Sequence, residues 1–594
     1  MKNNKYIFLV LTCCTLVVTS CMDHYESLPA DEFTEDYLFS RTDSNGTQAR
    51  QFLNSIYGIL ENGHNRVGGD YLDASTDDAI SVNVNNEPDV YRIYKGLYTA
   101  SNMVSGDMMW SQYYDGVRKV NRFIRGIDRV PFRTTYVNAL GEKRPLGVSM
   151  KAEARFLRAW FYFQLVRRYG GVPLMGDKVY GLNDNIELPR NSFADCVDYI
   201  VGELDSIRDS LRTLPISNAA EFGHVPTKEA CMAFKSRVLL YAASPLFNGN
   251  TMDKGNALVG YTDYDINRWK LAADAAREFI DTFGDNGSGS VILDDDPRDA
   301  FLDFYNYAKN PELIFFRAGG SNYSIESTNG PLGFTGTNLG NGQTCPSQNL
   351  VDAFPMIDGR SISDPTDAEY KYDEQHPYDN RDPRLKYTIL YNGSDWLGTK
   401  LQTWQGGANN PSGGSRYSRT GYYMRKFMGK FENSDSYSNQ THLWVIFRYA
   451  EILLNFAEAE NELLDAPSKE VYNAIIKLRK RAGIKKGNVK GYTYGLKENM
   501  TKEEMRTVIR NERRIEMAFE EQRFYDIRRW RIAEDVFSKP IQGMHITVGN
   551  GQTVYSRENL MTTDFDSKYY LYPIPYSEVT KNVNMNYNIK TEYG

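Results

Sequence analysis

Residues 150–169, MKAEARFLRAWFYFQLVRRY, decide the fold. Phe156, Ala159, Phe163 and Val166 recur at i, i+3, i+7 and i+10, which lie on one face of an α-helix. Leu157, Trp160, Tyr162 and Leu165 cover most of the remaining circumference, so the helix is expected to be buried nearly all round. Gly170-Gly171-Val172-Pro173 then ends it with C-terminal glycines and a proline just beyond.

Outward from this helix, helical periodicity dominates the chain in blocks. It predicts helices near 48–62, 110–130, 192–212, 227–243 and 266–283, and again near 446–463, 468–482 and 502–532. Several neighbouring pairs repeat at about 34–40 residues with small residues opposing aromatics, a tetratricopeptide-like pattern. Ala450, Ala457 and Ala459 allow close approach of neighbouring helices. From Gly284 to Lys426 the periodicity fades into Gly, Asn, Asp, Ser, Pro and Tyr, with short strand-like runs such as Leu313 to Arg317. The expected fold is mainly α, a tetratricopeptide-like helical-hairpin superhelix with an irregular, loop-rich subdomain. Long irregular segments in a compact protein are commonly functional. The expected organisation is a leader over 1–20, a tether over 21–39, a helical part over 40–283, the loop-rich insertion over 284–426 and a second helical part over 427–594.

The first residues, MKNNKYIFLVLTCCTLVVTSC, carry Lys2 and Lys5, an apolar run from Tyr6 to Val18, and Thr19-Ser20 before Cys21. A charged start, a short apolar run and small residues before a cut describe an export signal. The run is shorter than the ~20 residues that span a bilayer. A cysteine directly after the small residues predicts a bacterial lipoprotein, cleaved and acylated at Cys21. Residues 22–39, rich in Asp, Glu and Pro, are expected to be an irregular tether and hinge.

Composition excludes several classes. The formal net charge of -7 over 594 residues suits neither a nucleic-acid binder nor a polybasic membrane adapter. Mean hydropathy is -0.54, that of a water-soluble body. Beyond Cys13, Cys14 and Cys21, three cysteines remain (Cys196, Cys231 and Cys345), too few and too scattered for a disulfide scaffold. With 42 tyrosines against 6 histidines, the chain favours recognition surfaces over acid–base or metal chemistry.

The motifs point the same way. There is no HExxH, paired CxxC or GxSxG, and Gly284-Asp285-Asn286-Gly287-Ser288-Gly289 lacks the Lys-Ser/Thr and the strand–loop–helix frame of a phosphate loop. The run 506–531 is rich in arginine, but Glu512, Glu516, Glu520, Glu521 and Asp526 interleave with it, which predicts an ion-pair network and no phosphate track. Its carboxylates are held ionised by arginines, so they do not supply a glycosidase acid. No cofactor is expected. Asp294-Asp295-Asp296 with Asp299 is the one candidate for structural calcium, against the plainer reading of an acidic surface turn.

Eight segments in series resemble the SusD/RagB family of outer-membrane nutrient-binding lipoproteins. They are Ala152 to Leu174, Ala243-Ser244-Pro245-Leu246-Phe247-Asn248-Gly249, Gln348 to Gly359, Asp382 to Leu385, Arg448 to Asn461, Leu478 to Ile484, Glu512 to Trp530 and Tyr572 to Pro575. The Asn-Pro…Gln-Asn ending frequent in the family is missing from Lys581 to Tyr593. The resemblance implies a non-catalytic protein on the outer leaflet of the outer membrane, facing the cell exterior. It implies a lid over a SusC-like TonB-dependent transporter, delivering glycans or, in some members, oligopeptides. A surface glycoside hydrolase and an adhesin are the alternatives outside that reading.

Sugars are captured by aromatic faces flanked by Asn, Asp and Arg. Two regions carry that mixture, and the resemblance places the ligand surface on loops from the same two parts. The first holds Tyr71, Asp73, Arg92, Tyr94 and Tyr98. The second, in the insertion, holds Asn322, Tyr323, Trp396 and Trp404. Asp77 and Asp78 are expected to cap or pair within the fold. Trp110, Trp160, Trp269, Trp444 and Trp530 are expected to lie in helical runs and are assigned to the core.

Overall fold

A computed structural model describes residues 34–181, 184–216, 224–249, 252–296, 298, 310–364, 369–411 and 416–585. Cys21 lies outside the described residues. The main helices are α1 (Thr47–Tyr57), α2 (Trp110–Ile127), α3 (Leu146–Tyr169), α4 (Phe193–Ile207), α5 (Lys228–Ala243), α6 (Asn267–Thr282), α7 (Tyr449–Leu463), α8 (Lys469–Arg481), α9 (Lys502–Glu516) and α10 (Gln522–Arg529). Each of α1 to α7 packs on the next in chain order, and α7 also packs on α8 and α9. α6 meets α7 directly although residues 283–448 lie between them, so the helical superhelix continues past the insertion. Ala272, Ala273 and Ala459 form the α6–α7 seam around Trp269, because methyl side chains let two helix backbones close up on one large ring.

α3 is buried on nearly every side, as its sequence predicts. Phe156 packs edge-on to Phe234 of α5 and to Phe315 of the insertion, so one helix joins scaffold to insertion. Gly170 closes α3 at φ +76°, and a Cβ there would lie 2.3 Å from the Leu258 carbonyl oxygen. α4 and α9 begin with capping boxes, Ser192 with Asp195 and Thr501 with Glu504.

The insertion is stitched to the scaffold by short antiparallel pairs. β1 (Leu313–Asn322) pairs with β2 (Gln440–Arg448), which runs straight into α7. The inner end of β1, Leu313 to Phe316, is core, and its outer end at Asn322 reaches solvent. Ala79–Ser81 pairs with Thr344–Pro346, and within the insertion Ile389–Leu390 pairs with Tyr423–Met424. β3 (Ile541–Gly549) and β4 (Gln552–Met561) form a hairpin.

Three local expectations are corrected. Residues 446–448 are strand, not helix, and Trp444 is a core residue on β2, because a short apolar run carries no period that separates strand from helix. The run 502–532 is two helices broken at 517–521, where Phe519 and Glu521 adopt φ of +60° and +56°. The expected tether ends earlier than Phe39. Glu35–Leu38 is a helical turn, and Phe39 is fully buried between Phe52 and Phe123. Cys196, Cys231 and Cys345 are free and buried.

Candidate functional site

The arginine-rich run is an ion-pair network, and it lies in the interior. Arg448 donates to Glu312 and Glu516 at 2.7 Å and to Glu520 at 2.8 Å. Arg384 donates to Asp382 and Glu516, and Arg479 to Glu512. Burial would raise Glu516, yet Arg481, Arg448 and Arg384 together hold it well below the usual carboxylate range. Such pairs cost desolvation and contribute little net stability, but they fix geometry, since removing one partner leaves a buried charge.

This network positions the first loop of the site. Asp77 accepts from Arg514 and Arg523, and Asp78 from Arg514, which clamps residues 70–78 onto α9 and α10. Just before the clamp, the buried carboxylate of Asp70 accepts hydrogen bonds of 2.9 Å from Gln343 Nε2 and Thr344 Oγ1. Burial outweighs those bonds and pushes Asp70 up to about 7. Beyond the clamp, Val82 N–H donates to the Gln343 carbonyl at 2.8 Å and Asn83 Nδ2 to Gln343 Oε1 at 3.1 Å.

Around this join the surface is built of amides, guanidinium groups and phenols. Arg419 Nε donates to the Val82 carbonyl at 3.1 Å, and its guanidinium lies 4.4 Å from the centre of the Tyr417 ring. Arg416 Nη1 donates to Asn341 Oδ1 at 2.7 Å. Asn341 donates to the Ser327 carbonyl, one helical turn from Tyr323. Tyr323 stacks on Tyr437 with ring centres 6.3 Å apart. Asn83, Asn341, Arg416, Tyr417 and Arg419 thus form one cluster near Tyr323, with Arg416 and Tyr417 exposed and the others half-buried.

The residues singled out from sequence divide sharply. Asn322 is exposed at the end of β1 and Tyr323 is half-buried beside it, as a ligand surface requires. Trp396 is fully buried and donates from Nε1 to Tyr437 Oη at 3.0 Å, so it supports the Tyr323 face from beneath and offers no face to solvent. Trp404 is half-buried in the turn that bonds to β3 through Gln405 N–H and the Ile546 carbonyl. Tyr71 is enclosed by Phe427, Phe519 and His64. Asp73 accepts from the Phe519 N–H at 3.1 Å, and burial, with Asp78 and Glu521 nearby, pushes it up to about 8. Tyr94 packs on Phe537, and Tyr98 on Tyr569 and Tyr572. Tyr71, Asp73, Tyr94, Tyr98 and Trp396 are therefore interior residues, with no surface to give a ligand. Arg92 sits apart, bound to Asp89 and Asn102. Asn83, Asn341, Arg416, Tyr417 and Arg419 were not singled out, although the alternation Arg416-Tyr417-Ser418-Arg419 is a local signal for them.

Asp77 and Asp78 pair within the fold, and all five tryptophans assigned to the core are buried. For calcium, Asp299 lies outside the described residues. Among the described residues no three His, Cys, Asp or Glu side chains gather as a metal would need. Among them, too, no helix is long and apolar enough to cross a membrane.

Comparison with known proteins fits this architecture. A sequence model described as the SusD family matches residues 311–592, and one described as "Starch-binding associating with outer membrane" matches residues 36–240. The chain belongs to the SusD/RagB family. SusD-like protein P2 of Formosa agariphila is 24% identical over 98% of this chain and 99% of its own length. The crystal structure of a SusD-like protein from Bacteroides fragilis superposes with a TM-score of 0.72 at 26% identity, covering 95% of this chain and 100% of that one. A SusD-like carbohydrate binding protein from the same organism superposes with a TM-score of 0.69 at 24% identity over 91% of this chain and 99% of its own. The mainly helical superhelix is that of SusD-like structures.

Proposed function

We propose that this SusD/RagB member is a non-catalytic, surface-exposed lipoprotein that captures a glycan and passes it to a SusC-like TonB-dependent transporter. The observation that carries this reading is the cluster of exposed Arg416 and Tyr417 with half-buried Asn83, Asn341 and Arg419, near Tyr323. Amides and guanidinium groups offer planar hydrogen bonds to hydroxyls, while the phenol rings cover the apolar faces of pyranose rings. The solved relative described as carbohydrate binding supports the same cargo class. Acylation of Cys21 would supply the anchor, and the two or three chains of a bacterial lipoprotein hold firmly where one does not.

Binding without hydrolysis fits the carboxylates. A glycosidase needs one acid of raised pKa in reach of the scissile oxygen. Asp70, Asp73, Asp78, Glu229 and Glu521 are raised by burial, but all five are buried. Glu512, Glu516 and Glu520 lie below their ordinary range under arginines, with Lys426 also acting on Glu520.

The test is affinity profiling of the mature chain, with Cys21 replaced by serine, against polysaccharides and peptide mixtures. A glycan that binds and is recovered uncut supports the reading. Binding of peptides alone moves the cargo to oligopeptides, and release of cut sugars contradicts the non-catalytic part. Co-purification of the acylated protein with a TonB-dependent transporter tests delivery.

A further inference from the structure

A cleft of about 470 Å³, lined by none of the Tyr417 cluster, lies between α2 and a strap of residues 173–181 and 184–188. The strap is firmly held. Asn121 Nδ2 donates to the carbonyls of Gly176 and Lys178 at 2.9 Å, and Tyr114 Oη to that of Pro173 at 2.9 Å. The C-terminal segment closes one end, where Asn582 and Asn584 donate to the Leu188 and Glu187 carbonyls. The walls are apolar and aromatic, with Tyr114, Val117, Met175, Tyr180 and Ile186 among them.

The charges at this cleft are unevenly satisfied. Asp115 pairs with Lys119 at 2.8 Å, Glu578 with Lys581 at 3.5 Å, and Asp184 accepts the Gly181 N–H at 2.9 Å. Arg118 and Lys178, which also line the cleft, have no carboxylate partner among the described residues. The Lys178 ammonium rests 4.2 Å from the centre of the Tyr180 ring, a contact that leaves its N–H donors unspent. Three carboxylates and two cations line the cleft, and it is the cations whose donors are unspent.

Resting on the glycan reading above, we propose that this cleft is a second saccharide site, selective for a short oligosaccharide bearing an anionic group. The aromatic walls take the apolar face of a ring. Arg118 and Lys178 take a carboxylate or a sulfate ester through charge-assisted hydrogen bonds. The volume suits a small ligand and is too small for a long chain.

The experiment is calorimetric titration of the mature chain with three probes: a galacturonic acid trimer, a sulfated galactose oligomer and a neutral galactose trimer. The expected result is binding of at least one acidic probe and none of the neutral one, with five-fold or greater weakening in Arg118→Ala and in Lys178→Ala. The stronger acidic probe identifies the group recognised. The titrations are run in the Tyr417→Ala background, so that the binding read belongs to the cleft. In that background, equal binding of the neutral probe, acidic binding kept in both cation variants, or no acidic binding overturns the second site. If a polysaccharide still binds through the Tyr417 face, only the second site fails; if no glycan binds, both readings fail.

Discussion

Arg523 grips Asp77 with two parallel hydrogen bonds of 2.9 Å, Nε to Oδ1 and Nη2 to Oδ2. The two residues are 446 positions apart, and this fork holds the loop beneath the candidate site against α10. Positioning of the site thus depends on the C-terminal helices, not on the insertion alone.

Breaking that fork should be costly. Asp77→Asn leaves the buried Arg523 beside a neutral group, while Arg514 keeps Asp78, and loss of one partner of a buried pair costs about 3–5 kcal/mol. Burial works to raise Asp77, but Arg514 and Arg523 prevail and hold it at about 2. Its contribution is therefore complete above the unfolded value near 4 and is lost as pH falls toward 2. Urea denaturation at pH 7 and pH 3 checks both points: Asp77→Asn is less stable than the parent at pH 7, and the gap narrows at pH 3. An equal gap at both values contradicts this.

Asp73 has the opposite sign. Its folded value is raised to about 8, so its protonated form favours the fold below the unfolded value near 4, and that advantage disappears as pH rises through 8. Asp73→Asn keeps the shape and removes the titration. Between pH 5 and pH 9 the melting temperature of the variant should fall less than that of the parent. Parallel curves would count against a neutral, buried Asp73.

Trp396 and Tyr417 make opposite predictions despite both being aromatic residues of the insertion. Trp396→Ala removes a buried ring and should cost about 3–5 kcal/mol of stability. Trp396→Phe keeps most of that packing and should bind ligand like the parent at temperatures where both are folded. Thermal melts alongside affinity measurements separate the two effects. A large affinity loss in Trp396→Phe without loss of stability would show that the ring touches ligand.

The contrast between these two residues shows what the sequence makes legible. α3 was readable because apolar residues surround it at helical spacing, a pattern only a buried helix needs. The partners of the arginine-rich run were readable in sign from alternating charges, but its depth was not, because an exposed and a buried ion pair are written with the same residues. The break at Phe519 and Glu521 was hidden because both flanks keep helical periodicity and neither residue is a usual breaker. For the site, residue type alone favoured tryptophan over tyrosine. Tyr417 is exposed while Trp396 is buried against Phe431 and Tyr437, a difference of tertiary packing that residue type does not encode. Tyr71, Tyr94 and Tyr98 were misplaced for the same reason: they pack on Phe519, Phe537 and Tyr572, all more than 400 positions away.

The central claim is that the Tyr417 face captures a glycan. The most direct measurement is the affinity of the mature chain for its best-binding polysaccharide, compared among the parent, Tyr417→Ala and Arg416→Ala. Sugar-stacking aromatic and charged hydrogen-bonding groups at exposed positions carry binding energy without carrying the fold, so both variants should melt like the parent and lose ten-fold or more in affinity. Unchanged affinity in both variants would contradict the account and place the glycan elsewhere on the molecule.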